Sequence, residues 1–169
     1  MNRRMSGKGR WLGRAGRAAA GALVATALVL ATGCGEPDVP ELMDKARTAI
    51  AKKETEAARI SLKSALQKQP DHPEARFLLG QLLFDGGDMV GAEVELRRAL
   101  ELQHPAAKVL PLLSTAMLAQ GKAALLVQQF GSTQLDDATA QAKLQTALAS
   151  AEAATGNLDA AVARVGGVL

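Results

Sequence analysis

Tyrosine is absent from this 169-residue chain, and aromatic residues make up only 2% of it. The few rings are Trp11, Phe77, Phe84 and Phe130. Exposed Trp or Tyr platforms for stacking sugar rings are therefore missing after the first residues, which argues against direct polysaccharide binding. A single cysteine, Cys34, excludes an intrachain disulfide. Runs of β-branched residues are absent from the body of the chain, where Ala and Leu dominate, and this favours close-packed helices over sheet. Acidic residues are missing from the first 34 positions, which hold Arg3, Arg4, Lys8, Arg10, Arg14 and Arg17. Without these six cations, 14 basic residues face 17 acidic ones. The formal charge of +3 thus belongs to the N-terminus, and the weakly acidic remainder lacks the basic footprint that nucleic acid requires.

The basic start leads into an apolar run over residues 18–32, AAAGALVATALVLAT, and then Gly33-Cys34-Gly35. A charged segment, a short apolar segment and small residues at the cut site are the pattern of a bacterial export signal. The run falls short of the ~20 residues that a membrane-spanning helix needs. Ala31-Thr32-Gly33-Cys34 resembles a lipobox, with Ala31 standing where Leu is usual. That resemblance implies cleavage between Gly33 and Cys34 and lipidation of Cys34. One acyl chain binds a membrane with K on the order of 10⁴ M⁻¹, whereas two or more hold stably. Arg3-Arg4 suggests a twin-arginine signal, but Met5-Ser6-Gly7-Lys8 fits that motif poorly and the general secretory route is favoured. The expected organisation is a signal peptide over 1–33, a lipidated Cys34 with a Pro-broken tether over 34–40, and a repeat domain over 41–169.

Within that domain, residues 73–106 form a 34-residue unit with two apolar-periodic segments around Gly86-Gly87-Asp88. Leu79 and Gly80 take offsets 7 and 8, Gly87 offset 15, Ala92 offset 20, Leu96 offset 24 and Ala99 offset 27. Small residues recur where two helices of a hairpin must cross closely. This spacing resembles a tetratricopeptide (TPR) repeat. One copy earlier, over 39–72, Ala46, Ala58, Leu62 and Ala65 repeat the pattern without a gap. A third unit, near 107–135, is weaker: Leu126 replaces the small residue at offset 20, so a wider crossing is expected. A fourth, near 136–169, slips by one residue, with Gly156 lying 35 positions past Gly121. Asp136 and Asp137 are plausible caps for its first helix. The expected fold is an all-α helix–turn–helix solenoid of three to four repeats. The last repeat lacks a polar capping helix, the expectation being either the N-terminal piece of a longer repeat protein or a truncated gene product.

Catalytic constellations are missing. His72 and His104 fall in turns between repeats, with no paired carboxylate or cysteine at ligand spacing, and are expected to be exposed turn residues. No nucleophile lies near either histidine. No catalytic residue, metal site or cofactor is expected. What remains is the concave face, lined by offsets 2, 5, 9 and 12 of each first helix. The candidates are Met43, Arg47 and Ile50; Glu74, Phe77, Gln81 and Phe84; and Lys108, Thr115 and Leu118. Phe77 and Phe84 lie two turns apart on one face. They serve either as packing against the neighbouring helix or as apolar anchors for a peptide.

The phrases LKSALQ…P…EARFLLG and AE.ELRRALEL…VLPLL, placed after a lipoprotein signal and a short tether, resemble the TPR-repeat lipoprotein of the PEP-CTERM/exosortase system. The resemblance implies a non-enzymatic scaffold in exopolysaccharide export and protein sorting, binding a protein or peptide partner in the cell envelope. With Gly35 after Cys34, it also implies a lipid anchor in the outer membrane, facing the periplasm. Two other readings stand beside it. One is a pilotin-like lipoprotein assembly factor for pili or secretion. The other is the repeat region of a longer envelope enzyme.

Overall fold

In the computed structural model, residues 36–166 are described. The signal segment, Gly33 and Cys34 lie outside them. Among the described residues all regular structure is helical, in eight helices: α1 (Val39–Ala51), α2 (Thr55–Lys68), α3 (Pro73–Asp85), α4 (Met89–Glu101), α5 (Ala106–Ala119), α6 (Ala123–Phe130), α7 (Ala138–Ala154) and α8 (Leu158–Gly166).

The helix starts follow from local chemistry. A first-turn amide has no partner inside its own helix, and a side-chain acceptor just before the helix supplies one. Asp38 caps α1 at the Glu41 amide (2.9 Å), Asp88 caps α4 at Gly91 (2.8 Å), and Asp137 caps α7 at Ala140 (2.7 Å). Pro73 opens α3, where its missing N–H costs nothing. The hairpin turns repeat as well. Gly87, Gly121 and Gly156 hold φ of 82°, 71° and 84°, a left-handed conformation that glycine adopts freely.

Consecutive helices pack as hairpins, α1 on α2, α3 on α4 and α7 on α8, and each hairpin stacks on the next through α2–α3, α4–α5 and α6–α7. The small residues sit at the crossings: Ala46, Ala58, Ala65, Ala92 and Ala99 are fully buried, and so are Leu62 and Leu96 beside them. A methyl group added at Gly80 would lie 2.8 Å from Leu96 Cγ, so α3 and α4 touch almost backbone to side chain.

The third hairpin departs from this pattern, as Leu126 at a small-residue position foretold. Leu126 is fully buried, α6 is only eight residues long, and α5 packs chiefly on α4 and α7. The connection after α6 is held by Gln141 of α7, which accepts from the Leu135 amide at 2.8 Å. Helix α7 runs 17 residues against 13 for α1 and α3, which absorbs the slip in register.

Two core clusters result. One joins α1, α2 and α3 around Leu42, Met43, Leu62 and Leu79; the other joins α4 to α7 around Leu96, Leu113, Leu126, Leu144 and Leu148. Leu83 of α3 touches both.

Candidate functional site

First helices α3, α5 and α7 lie side by side and form one wall of the solenoid. Between them runs a cleft of ≈540 Å³. Phe77 and Gln81 of α3, Lys108, Pro111 and Leu112 of α5, and Asp137, Ala140 and Lys143 of α7 line it. Lys108 and Lys143 are exposed, so two cations stand over a floor that is largely apolar. Such a surface suits an extended or helical peptide: the apolar floor supplies affinity, and the charges select and orient.

The floor is shaped by one stacking pair. Phe77 lies on the His104 ring with centroids 4.5 Å apart and planes at 17°. His104 was expected to be exposed. It is half-buried, and its Nε2 is enclosed without a hydrogen-bond partner. Burial, reinforced by the Lys108 charge and opposed by Glu74, holds its pKa below the ordinary 6.5. A neutral ring is thus favoured beneath the phenyl. His72 is not a free turn residue either: its Nδ1 accepts from the Ala75 amide at 3.2 Å and caps α3. Both corrections have the same origin, since turns between stacked repeats are pinned against the next helix.

The remaining candidates divide by location. Arg47 reaches from α1 to α3 and grips Glu74 with two hydrogen bonds, Nε to Oε1 at 3.0 Å and Nη2 to Oε2 at 2.7 Å. A third bond runs to Asp44 at 2.8 Å. The hydrogen bond from Arg47, opposed by burial, holds the Glu74 carboxyl below its ordinary range. These two candidates therefore close on each other and tie the first two repeats together. Met43 and Arg47 line a smaller cleft of ≈270 Å³ beside α1. Met43 is only 2% exposed and belongs to the core, so it offers floor and no anchor. Ile50 is half-buried. Phe84 and Leu118 are half-buried and pack against the second core cluster, and the Thr115 hydroxyl turns back to donate to the Pro111 carbonyl at 2.9 Å. Of the proposed groove residues, the cleft gathers Phe77, Gln81 and Lys108.

Sequence reasoning missed Lys143, Asp137 and Pro111. Lys143 carried a signal: relative to the Gly156 turn it holds the offset that Glu74 and Lys108 hold in their repeats. It also missed two charged latches. Glu93 of α4 is 6% exposed and accepts from Arg97 Nε (2.9 Å), Lys122 Nζ (2.6 Å) and Gln120 Nε2 (2.7 Å). Burial pushes its pKa up, but the hydrogen bonds from Lys122, Arg97 and Gln120 outweigh it and leave the carboxyl below its usual value. Glu152 of α7 is likewise buried and gripped by Arg164 of α8 at 2.9 and 2.6 Å. Arg164 also donates to Gln145 Oε1 at 2.6 Å and to the Gly131 carbonyl at 3.2 Å. Every charge buried here has a partner, and each latch bridges elements.

Residues 49–116, from the end of α1 through most of α5, match the tetratricopeptide repeat family. Together with eight helices and no strand among the described residues, this makes the fold a helical tetratricopeptide-repeat solenoid. No curated protein matches the chain significantly.

Proposed function

We propose that this tetratricopeptide-repeat protein is a non-enzymatic scaffold of the bacterial cell envelope, lipid-anchored at Cys34 in the outer membrane and facing the periplasm. It holds a protein or peptide partner in the cleft between α3, α5 and α7. The role is in exopolysaccharide export and sorting of PEP-CTERM proteins. The observation that carries partner binding is the cleft itself, an apolar floor around Phe77 with Lys108 and Lys143 at its edges. Repeats of this type generally mediate protein contacts, and the cleft assembles helices from three successive hairpins, as a groove for an extended ligand must. The anchor reading rests on the apolar run over 18–32 followed by Gly33-Cys34. Among the described residues no helix is long and apolar enough to cross a membrane. An acyl anchor at Cys34 would supply the attachment instead, on the two-chain arithmetic of lipidated proteins.

Two experiments test the halves of this reading separately. Cells fed labelled palmitate should yield a labelled chain, and Cys34→Ser should abolish the label; retention of label in that variant removes the anchor. For the cleft, a photo-crosslinking amino acid at Gln81 should give a discrete adduct in cells, and the same probe at Ile60 should not. Lys108→Glu with Lys143→Glu should erase that adduct while leaving helix content unchanged, because both side chains are exposed. An adduct indifferent to this charge reversal would show that the cleft is not the contact.

A further inference from the structure

Among the described residues, His104 Nε2 is the one buried side-chain polar atom without a hydrogen-bond partner. The His104 ring lies behind the floor of the cleft between α3, α5 and α7 and carries Phe77, which lines that floor, in a stack of 4.5 Å. The main chain pins the residue from both sides. Its amide donates to the Ala99 carbonyl at 2.9 Å and closes the end of α4. Pro105 follows directly and confines the His104 backbone to an extended conformation. Rotation of the side chain is therefore the ring's available response to a change in charge.

The enclosure suits one protonation state. A neutral imidazole can carry its proton on Nδ1 and leave a bare lone pair at Nε2, whereas the imidazolium has an N–H on both nitrogens. Protonation thus puts a charged donor where nothing accepts from it, which costs more than an acceptor left unmade. The neighbouring charges do not repair this. Lys108, in the first turn of α5, repels the imidazolium. Glu74 of α3 attracts it, but both carboxylate oxygens are engaged by Arg47 of α1, at 3.0 and 2.7 Å. His72, the cap of α3, is the other imidazole acting on Glu74, and α4 adds no charge to the ring's surroundings.

We propose that His104 makes the cleft acid-sensitive. A neutral ring holds Phe77 up in the floor. A protonated ring turns out to water, Phe77 drops into the space it leaves, and the apolar floor beneath a peptide is lost. This regulation rests on the reading of the cleft as the partner site: the partner is held near neutral pH and released in acid. Burial, then Lys108, keep the ring's pKa below 6.5, so release begins below that value. For a single group whose neutral form binds, affinity falls by up to about tenfold per pH unit.

The ring switch is tested without a partner. In the full chain with 4-fluorophenylalanine in place of Phe77, the fluorine resonance should move in one step below pH 6.5, at the midpoint of the His104 imidazole signals, with helical circular dichroism unchanged. The same probe in place of Phe84 should move far less. His104→Phe should abolish the step. Should that variant fail to fold, Lys108→Gln takes its place: it removes a repelling charge from an exposed position and should raise the midpoint. Release is tested in lysate, where a photo-crosslinking residue at Gln81 should give its adduct at about pH 7.5 and lose most of it at about pH 5. His104→Phe should keep the adduct at both. A fluorine resonance that holds its place down to about pH 5, or moves as far in His104→Phe, overturns the proposal. So does an adduct equally strong at both values, or stronger in acid, which would mean that the imidazolium attracts the partner. No adduct at either pH, beside an intact fluorine step, would remove the partner site and leave the ring switch standing.

Discussion

Lys53 and Gly87 occupy the same step of two successive hairpin turns, and both have positive φ, 60° and 82°. An L side chain in that region crowds its own carbonyl, whereas glycine has nothing to crowd, and the difference is about 1 kcal/mol. Lys53→Gly should therefore raise the urea midpoint, and Gly87→Ala should lower it by a similar amount. His104 supplies a second prediction of this kind. Its pKa lies below 6.5 in the folded chain because burial, and then the Lys108 charge, disfavour the imidazolium, while Glu74 pulls the other way. The unfolded chain consequently binds a proton more readily than the folded one. Stability attributable to this ring is complete above pH 6.5 and declines as pH falls through the unfolded value toward the lower folded one. Urea titrations on either side of pH 6.5 should show that decline. His104→Phe, which keeps a ring on Phe77, should flatten it. An equal slope in the variant would place the titrating group elsewhere.

The tight crossing of α3 on α4 turns on Gly80. Its added methyl would meet Leu96 Cγ at 2.8 Å and the Leu96 amide nitrogen at 3.2 Å, so the backbone as well as the side chain must yield. Gly80→Ala should cost about 1–3 kcal/mol in chemical denaturation, although alanine occupies the same step in α1 as Ala46. The crossing was readable before any coordinates, since offsets 8, 20, 24 and 27 are dictated by how near two helices come, and that demand falls on residue size alone. Leu126 announced the looser third hairpin for the same reason. The charged latches were not readable. Glu93 in mid-helix looks like one more solvated carboxylate until α5 and α6 fold back and bring Gln120 and Lys122 onto it, from 27 and 29 residues away. The cleft was half legible. Phe77, Gln81 and Lys108 followed from a fixed offset; Lys143 keeps that offset but lay past the one-residue slip, and Asp137 entered with the extended start of α7. Phe84 and Leu118 followed the same offsets and still turned to the core. A helical offset fixes a face and leaves open whether a neighbour already covers it.

Among the described residues, helices pack on near neighbours along the stack, and the core divides into one cluster over α1–α3 and another over α4–α7, joined at Leu83. An array of this kind stores its stability as a sum of local terms, so that damage in one unit loosens that unit first. Leu62 and Leu148 are both fully buried, one in each cluster. Truncating either to alanine should cost about 2–4 kcal/mol through lost contacts and the cavity left behind. The two losses should be spatially separate. Amide hydrogen exchange in the Leu62→Ala chain should accelerate through α1 and α2 and stay near the parent rate in α6 and α7; Leu148→Ala should reverse the pattern. Helix α3 is the informative element, because Ala75 and Leu79 pack toward the first cluster while Phe77 and Phe84 pack toward the second. It should respond to both substitutions, and more weakly to each than the helices that belong to one cluster alone. Uniform acceleration along the chain by either variant would mean that the two clusters open together, and that Leu83 and its surroundings couple them far more tightly than nearest-neighbour stacking allows.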